Sequence, residues 1–126
     1  MTETVPARSE VTFDVNGGTR GLRFDFNAIV EVEESLNGKA FGQVAAALAA
    51  GLTSFRELRV LAKVGMCTWA DEHDEKKKRV NLPEAGRIIQ ELGMKQFVEL
   101  LQLAFTAAFP DMTGEEDEDE GDDEEK

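Results

Sequence analysis

Several residue types are scarce in this chain of 126 residues, and each scarcity excludes a class of protein. A single cysteine, Cys67, excludes an internal disulfide framework and a zinc site built from several cysteines. A single histidine, His73, leaves no second imidazole for a transition-metal site. No run of about 18 apolar residues occurs, and no basic and apolar leader follows Met1. These absences predict a soluble cytoplasmic protein that has no membrane partner.

Charge is distributed unevenly along the chain. Residues 111–126 hold eleven acidic residues and one basic residue, a net charge of −10 out of −12 for the whole chain. Residues 1–110 hold thirteen basic and fifteen acidic residues, so they are almost neutral. The run from Glu115 to Glu125 repels itself and has no apolar side chain to bury. We therefore predict a flexible N-terminus over residues 1–10, a single domain over 11–110 and a disordered acidic tail over 111–126.

The period of apolar residues predicts a β-hairpin over residues 11–26. Two segments alternate apolar with polar side chains, as half-buried strands do: Val11, Phe13 and Val15 in the first, and Leu22, Phe24 and Phe26 in the second. Asn16-Gly17-Gly18 lies between them and suits a tight turn, because Asn and Gly accept positive φ. Two strands alone are marginally stable in water, so we expect their apolar face to pack against helices.

From Asn27 onward the apolar period becomes helical, which predicts about five short helices. Capping and breaking residues set their limits: Asn27 and Asn37-Gly38, Phe41 and Gly51, Ser54 and Ala70, Asn81 and Gly93, and Lys95 and Pro110. The third helix carries an apolar stripe of Phe55, Leu58, Leu61, Ala62 and Trp69. Ser54 and Asn81 each precede a glutamate by three residues, the spacing of a capping box. The predicted fold class is mainly α (α+β), with an N-terminal hairpin followed by these helices.

The polar clusters of the chain do not form a recognisable catalytic or metal site. His73 lies in the acidic stretch 71–75, but side chains of adjacent residues diverge in direction. Cys67 lies in an apolar helix without a nearby base, so we expect an inert, partly buried thiol. The basic stretch 76–79 directly follows the acidic one, which favours mutual neutralisation over nucleic-acid binding. Asp117-x-Asp119-x-Gly121 matches only part of a calcium loop and lacks its flanking helices. We predict no enzymatic activity, no catalytic residue, no cofactor, no metal site and no direct nucleic-acid contact.

The last predicted helix carries an apolar arc that is wider than a one-sided stripe. The arc supplies the candidate partner-binding residues, which are Phe97, Leu100, Leu101, Leu103, Phe105 and Phe109. One interpretation is a spare apolar surface that captures a partner helix. The other is a central core helix that is buried all round. The sequence alone leaves both open.

A longer pattern extends over about residues 20–110. Its parts are Leu22-Arg23-Phe24-Asp25-Phe26-Asn27-Ala28, Glu31-x-Glu33-Glu34, a turn at Gly38, Leu58-Arg59-x-Leu61, Pro83-Glu84-Ala85 through Gly93, Ala104-Phe105, and Ala107-Ala108-Phe109-Pro110. This order resembles the small phage tail assembly chaperones of the gene-transfer-agent class, a family also labelled as phage tail tube proteins. The acidic tail lies outside the pattern.

The resemblance implies a non-enzymatic role in the cytoplasm of a bacterial host. Tail assembly chaperones bind the long helical tape measure protein before the tail tube polymerises around it, and they recruit tail tube subunits. The family supplies no residue-level binding motif to carry over. Two alternatives remain: a structural tail tube or adaptor subunit, and a regulatory polyanionic protein that mimics nucleic acid. The oligomeric state stays open.

Overall fold

A tight hairpin opens the part of the chain that the computed structural model describes, residues 10–108. Strands β1 (Glu10–Val15) and β2 (Gly18–Arg23) pair antiparallel, with Val15 opposite Gly18. Only Asn16 and Gly17 form the loop, at φ values of 54° and 78°. Two successive positive φ angles are typical of a type I′ turn, whose twist matches that of the strands. The predicted hairpin is confirmed.

Helix α1 (Phe26–Ser35) begins two residues earlier than the sequence suggested. Asp25, and not Asn27, is the N-cap: its Oδ1 accepts a hydrogen bond from the Ala28 amide at 2.8 Å. Phe26 is therefore the first residue of a helix and is 75% exposed, so its assignment to the second strand was wrong. The helix ends at Asn37 and Gly38 as predicted, since both adopt positive φ.

Side chains that precede the next two helices in the sequence accept hydrogen bonds from the first backbone amides of those helices. The Glu33 carboxylate accepts a hydrogen bond from the backbone amide of Phe41, the first residue of α2 (Phe41–Ala49), at 2.8 Å. Ser54 caps α3 (Phe55–Glu72) by accepting from the Glu57 amide at 3.1 Å. The Glu57 carboxylate instead pairs with Lys39 at 2.8 Å, so only half of the predicted capping box forms.

The charged connector after α3 contains a short 3₁₀ turn at Lys76–Lys78. Asn81 then caps α4 (Leu82–Leu92), and here the capping box is complete. The Asn81 side chain accepts from the Glu84 amide at 2.8 Å, while the Glu84 side chain accepts from the Asn81 amide at 2.9 Å. Gly93, at a φ of 97°, ends α4 and leads directly into α5 (Met94–Ala108).

Helices α3 and α5 form the core together with the hairpin. Helix α3 packs on β2, α1 and α4, whereas α5 packs on both strands, α2 and α4. The rings of Phe24, Phe41 and Phe105 meet in the core with centroids 4.8 to 6.5 Å apart. The predicted packing of the hairpin against helices is confirmed. Within residues 10–108, no helix combines the length and apolar character that crossing a membrane requires.

Two glycines let α3 lie unusually close to β2. A Cβ atom built on Gly65 of α3 lies 2.7 Å from the Phe24 ring and 2.8 Å from Leu22 Cδ2. A Cβ atom built on Gly21 of β2 lies 2.4 Å from the ring of Trp69. Cβ contacts in proteins are longer than these distances. A side chain at either glycine would therefore clash where α3 and β2 approach each other.

Candidate partner-binding groove

The six predicted partner-binding residues do not share one surface. Phe97, Leu101 and Phe105 are buried, because α5 packs on the hairpin, α2 and α4 at once. Of the two interpretations that the sequence leaves open, the core helix applies to these three residues and the spare surface does not. Leu100 is partly buried against the core, and Leu103 is 59% exposed. Phe109 lies outside the described residues, as do residues 1–9 of the predicted flexible N-terminus and the predicted acidic tail. Glu10, the last residue of that predicted N-terminus, instead begins β1.

An open groove instead lies between the first turns of α3 and the middle of α4. Its volume is about 690 Å³. Its lining consists of Phe55, Arg56, Leu58, Arg59, Gly86, Ile89, Gln90 and Met94. The first four come from α3, the next three from α4 and the last from the start of α5, so three helices set its shape.

The groove has an apolar base and exposed apolar side chains at its edges. Leu58 is buried and Ile89 partly buried, since both also contribute to the packing of α3 on α4. Phe55 and Met94 are 74% and 40% exposed. Phe55 was predicted to belong to the buried stripe of α3. It lies at the first position of that helix and lines the groove instead.

Gly86 keeps the α4 wall of the groove low. A Cβ atom built there lies 3.5 Å from Arg59 Cδ, which is an ordinary van der Waals contact. The aliphatic part of the Arg59 side chain therefore lies close to the α4 backbone. Long basic side chains commonly cover apolar surface with their methylenes and keep the charge in water.

The charged side chains that line the groove are both arginines. Arg56 and Arg59 are exposed, and neither makes an ion pair or hydrogen bond within residues 10–108. Some other cations of the described chain have acidic partners: Lys39 pairs with Glu57, and Lys63 with Glu31. The groove therefore presents apolar surface together with uncompensated positive charge.

The histidine and two charged residues of the stretch 71–79, which was singled out in the sequence, contact other polar side chains, and no residue of that stretch lines the groove. The Asp71 carboxylate hydrogen-bonds to the Arg79 guanidinium and raises the pKa of Arg79 above its ordinary value. His73 Nε2 lies 2.9 Å from a Glu10 carboxylate oxygen. Within the described residues, no group of three or more metal-ligating side chains comes together.

Cys67 is a buried structural thiol. Its Sγ donates to the Val80 carbonyl at 3.2 Å and accepts from the Val80 amide at 3.4 Å. These contacts tie α3 to the segment that precedes α4. The thiol is more enclosed than the partly buried group that the sequence suggested.

Sequence reasoning missed the groove, although some of its signals were visible. Arg56 and Arg59 are three residues apart and thus neighbours on one helix face. Phe55 and Leu58 have the same spacing, which by itself predicts core packing.

Comparison of the chain with protein-family models, with curated protein sequences and with solved structures finds no match.

Proposed function

We propose that this protein is a non-enzymatic phage tail assembly chaperone whose α3–α4 groove binds an amphipathic helix of the tape measure protein. The observation that carries the proposal is the groove, in which an exposed phenylalanine and methionine border an apolar base. Such a groove suits the apolar face of a helix, which presents anchors at positions i, i+3 or i+4, and i+7.

Removal of the exposed apolar side chains from water favours this binding. Complete burial of a phenylalanine side chain contributes about 1.5–3 kcal/mol. Phe55, at 74% exposure, has most of this contribution still to gain. Aromatic anchors of this kind commonly dominate the binding energy of an interface.

The two arginines define the chemistry of the expected client. Arg56 and Arg59 lie beside the apolar base, so the client helix should carry aspartate or glutamate next to its apolar stripe. Complementary charges of this kind raise the association rate and fix the orientation of the bound segment.

The client class in this proposal is taken from the resemblance of the sequence to tail assembly chaperones. A tape measure protein is a long helix whose apolar stripe is exposed until the tail tube surrounds it. A chaperone with an apolar, positively charged groove can cover part of that stripe in the host cytoplasm and keep it soluble. Recruitment of tail tube subunits belongs to the same proposed role.

Two matched phenylalanine variants test the groove. Phe55 and Phe26 each occupy the first position of a helix and are 74% and 75% exposed, but only Phe55 lines the groove. We expect Phe55→Ala to weaken the binding of a tape measure fragment at least about tenfold. Phe26→Ala should bind like the unaltered chain. The measurements are the soluble yield of the co-expressed fragment and calorimetric titration.

Equal effects of the two substitutions would place the client elsewhere on the surface. A fragment that is no more soluble with the chain than without it would remove the chaperone proposal altogether. Particle composition separates the structural alternative, because a chaperone leaves the finished tail whereas a tube or adaptor subunit remains in purified particles.

A further inference from the structure

The groove arginines and the acidic tail are complementary parts of one chain. Arg56 and Arg59 have no acidic partner within the described residues. Residues 115–125, which lie outside the described part, hold ten carboxylates and no base. The tail therefore offers the chemistry that we expect of a client's acidic flank, and it is attached to the same chain.

The tail is long enough to reach the groove. Met94, at the groove edge, begins α5, and Ala108 ends the described part of the same helix. A helix of this length places the two Cα atoms about 21 Å apart. The seven residues from Ala108 to Glu115 span about 23 Å when extended. The acidic run can therefore lie at the groove edge with no change in the fold.

We propose that the acidic tail, residues 115–125, docks against Arg56 and Arg59 of its own chain and covers the groove until a client displaces it. The docking itself does not depend on the identity of the client. Only the competition with a client rests on the proposed function above.

Tethering compensates for the weakness of each ion pair. Exposed ion pairs contribute little individually. Attachment to the same chain through a short segment nevertheless gives the tail an effective concentration at the groove on the order of millimolar. Because several carboxylates can exchange over two arginines, contact persists without a single fixed geometry. Salt should weaken it strongly, since charges on the surface are screened within about 3 Å at 1 M salt.

A second basic region is a less suitable dock for the tail. A pocket beside the 3₁₀ turn is lined by Arg20, Lys77, Arg79 and Arg87, but Glu84 and Glu91 line it as well. Arg79 is also engaged by Asp71. The groove has no carboxylate in its lining, so the lining side chains themselves carry only positive charge. The basic turn therefore supplies a matched control of equal charge.

Paramagnetic relaxation in the full-length chain tests the docking. A nitroxide is attached at Glu118→Cys, while Cys67 is buried and the same reagent applied to the chain without Glu118→Cys serves as a blank. At about 0.01 M salt we expect the amide signals of Arg56, Arg59 and Gly86 to lose most of their intensity, and at about 1 M salt to regain it. Arg56→Glu with Arg59→Glu should abolish the effect, whereas Lys76→Glu with Lys77→Glu should retain it.

Three outcomes would overturn the docking. The first is a loss of amide signal intensity (broadening by the nitroxide) that is centred on residues 76–79. The second is broadening at the groove that Arg56→Glu with Arg59→Glu leaves unchanged. The third is broadening seen equally when labelled tails and isotope-labelled domains belong to different molecules, which indicates contact between chains. All four substituted residues are exposed, and the fluorescence of Trp69, the only tryptophan, verifies that each variant is folded.

A separate titration measures the competition. Deletion of residues 111–126 should raise the affinity for a tape measure fragment about three- to tenfold, because a covered groove lowers apparent affinity in proportion to its uncovered fraction. If the fragment binds neither form while the relaxation effect is present, the proposed function fails and the docking stands. If the fragment binds both forms equally, the docking does not regulate the groove and the competition is rejected.

Discussion

Gly65 and Gly86 are both interior residues of helices, but their surroundings give opposite predictions for alanine. A methyl group on Gly65 would meet Phe24 and Leu22, which are buried and cannot move aside. Overpacking of this kind costs about 1–3 kcal/mol, which exceeds the roughly 1 kcal/mol that alanine gains over glycine in a helix. We therefore expect Gly65→Ala to lower the free energy of unfolding by up to about 2 kcal/mol.

Gly86→Ala is the matched control, with the opposite expected sign. Its new methyl group would contact only the flexible side chain of Arg59, at 3.5 Å. The gain in helix propensity should then raise the free energy of unfolding by about 0.5–1 kcal/mol. Urea denaturation followed by Trp69 fluorescence measures both variants. A Gly65→Ala protein as stable as Gly86→Ala would show that α3 and β2 are farther apart than described.

Among the helices, the N-terminal caps of α3 and α4 form a natural comparison. The Asn81 side chain accepts from the Glu84 amide at 2.8 Å, a shorter hydrogen bond than the 3.1 Å bond that the Ser54 side chain accepts from the Glu57 amide. Loss of an N-cap side chain typically costs about 1 kcal/mol, within a range of about 0.5–2. We expect Asn81→Ala to lie near the upper end and Ser54→Ala near the lower end.

Thermal unfolding separates the two caps, since each kcal/mol shifts the midpoint of a domain of this size by about 4–8 °C. Asn81→Ala should therefore melt below Ser54→Ala. Glu84→Ala should also lower the midpoint, because it removes the other hydrogen bond of the box, which the Asn81 backbone amide donates and which Asn81→Ala leaves in place. The reverse order of melting would mean that packing around the start of α3, and not capping, controls these helix ends.

The elements that the sequence predicted well are those with local causes. The Asn16-Gly17 turn, the Asn81 box and the Gly93 stop each depend on residues a few positions apart, and all appear as expected. The errors depend on distant contacts. The Glu57 side chain does not complete the predicted capping box with Ser54, because its carboxylate pairs with Lys39, eighteen positions earlier, at 2.8 Å. The apolar period along one helix does not predict a contact with a residue so distant in the sequence.

The groove could not be located from the sequence for the same reason. Phe55 and Leu58 lie on one helix at core spacing, yet Leu58 is buried and Phe55 is exposed. The difference arises from where α4 packs along α3, which is a property of the assembled molecule. The arc of α5 shows the converse, because three of its apolar residues are buried by several neighbouring elements together.

For the whole molecule, charge and stability should be separable. The buried core that the structure describes is formed by residues of the range 10–108, whereas residues 111–126 carry −10 of the net charge of −12. At about 1 M salt, where the proposed docking is screened, deletion of residues 111–126 should change the free energy of unfolding by less than about 0.5 kcal/mol, the usual range for surface changes. The same deletion should lower solubility, because a domain of net charge −2 loses most of its mutual repulsion.

A Gly/Ser segment of equal length in place of residues 111–126 separates charge from length. We expect this variant to unfold like the full chain at about 1 M salt, where docking is screened, and to self-associate like the deletion at low salt. Static light scattering across a range of protein concentrations measures the self-association. Added salt should bring the full chain toward the same behaviour, since repulsion between acidic tails is screened within about 10 Å at 0.1 M. If the Gly/Ser variant stays as dispersed as the full chain, steric bulk and not charge keeps the molecules apart. Docking on the groove arginines would then be the remaining proposed role of the tail's carboxylates.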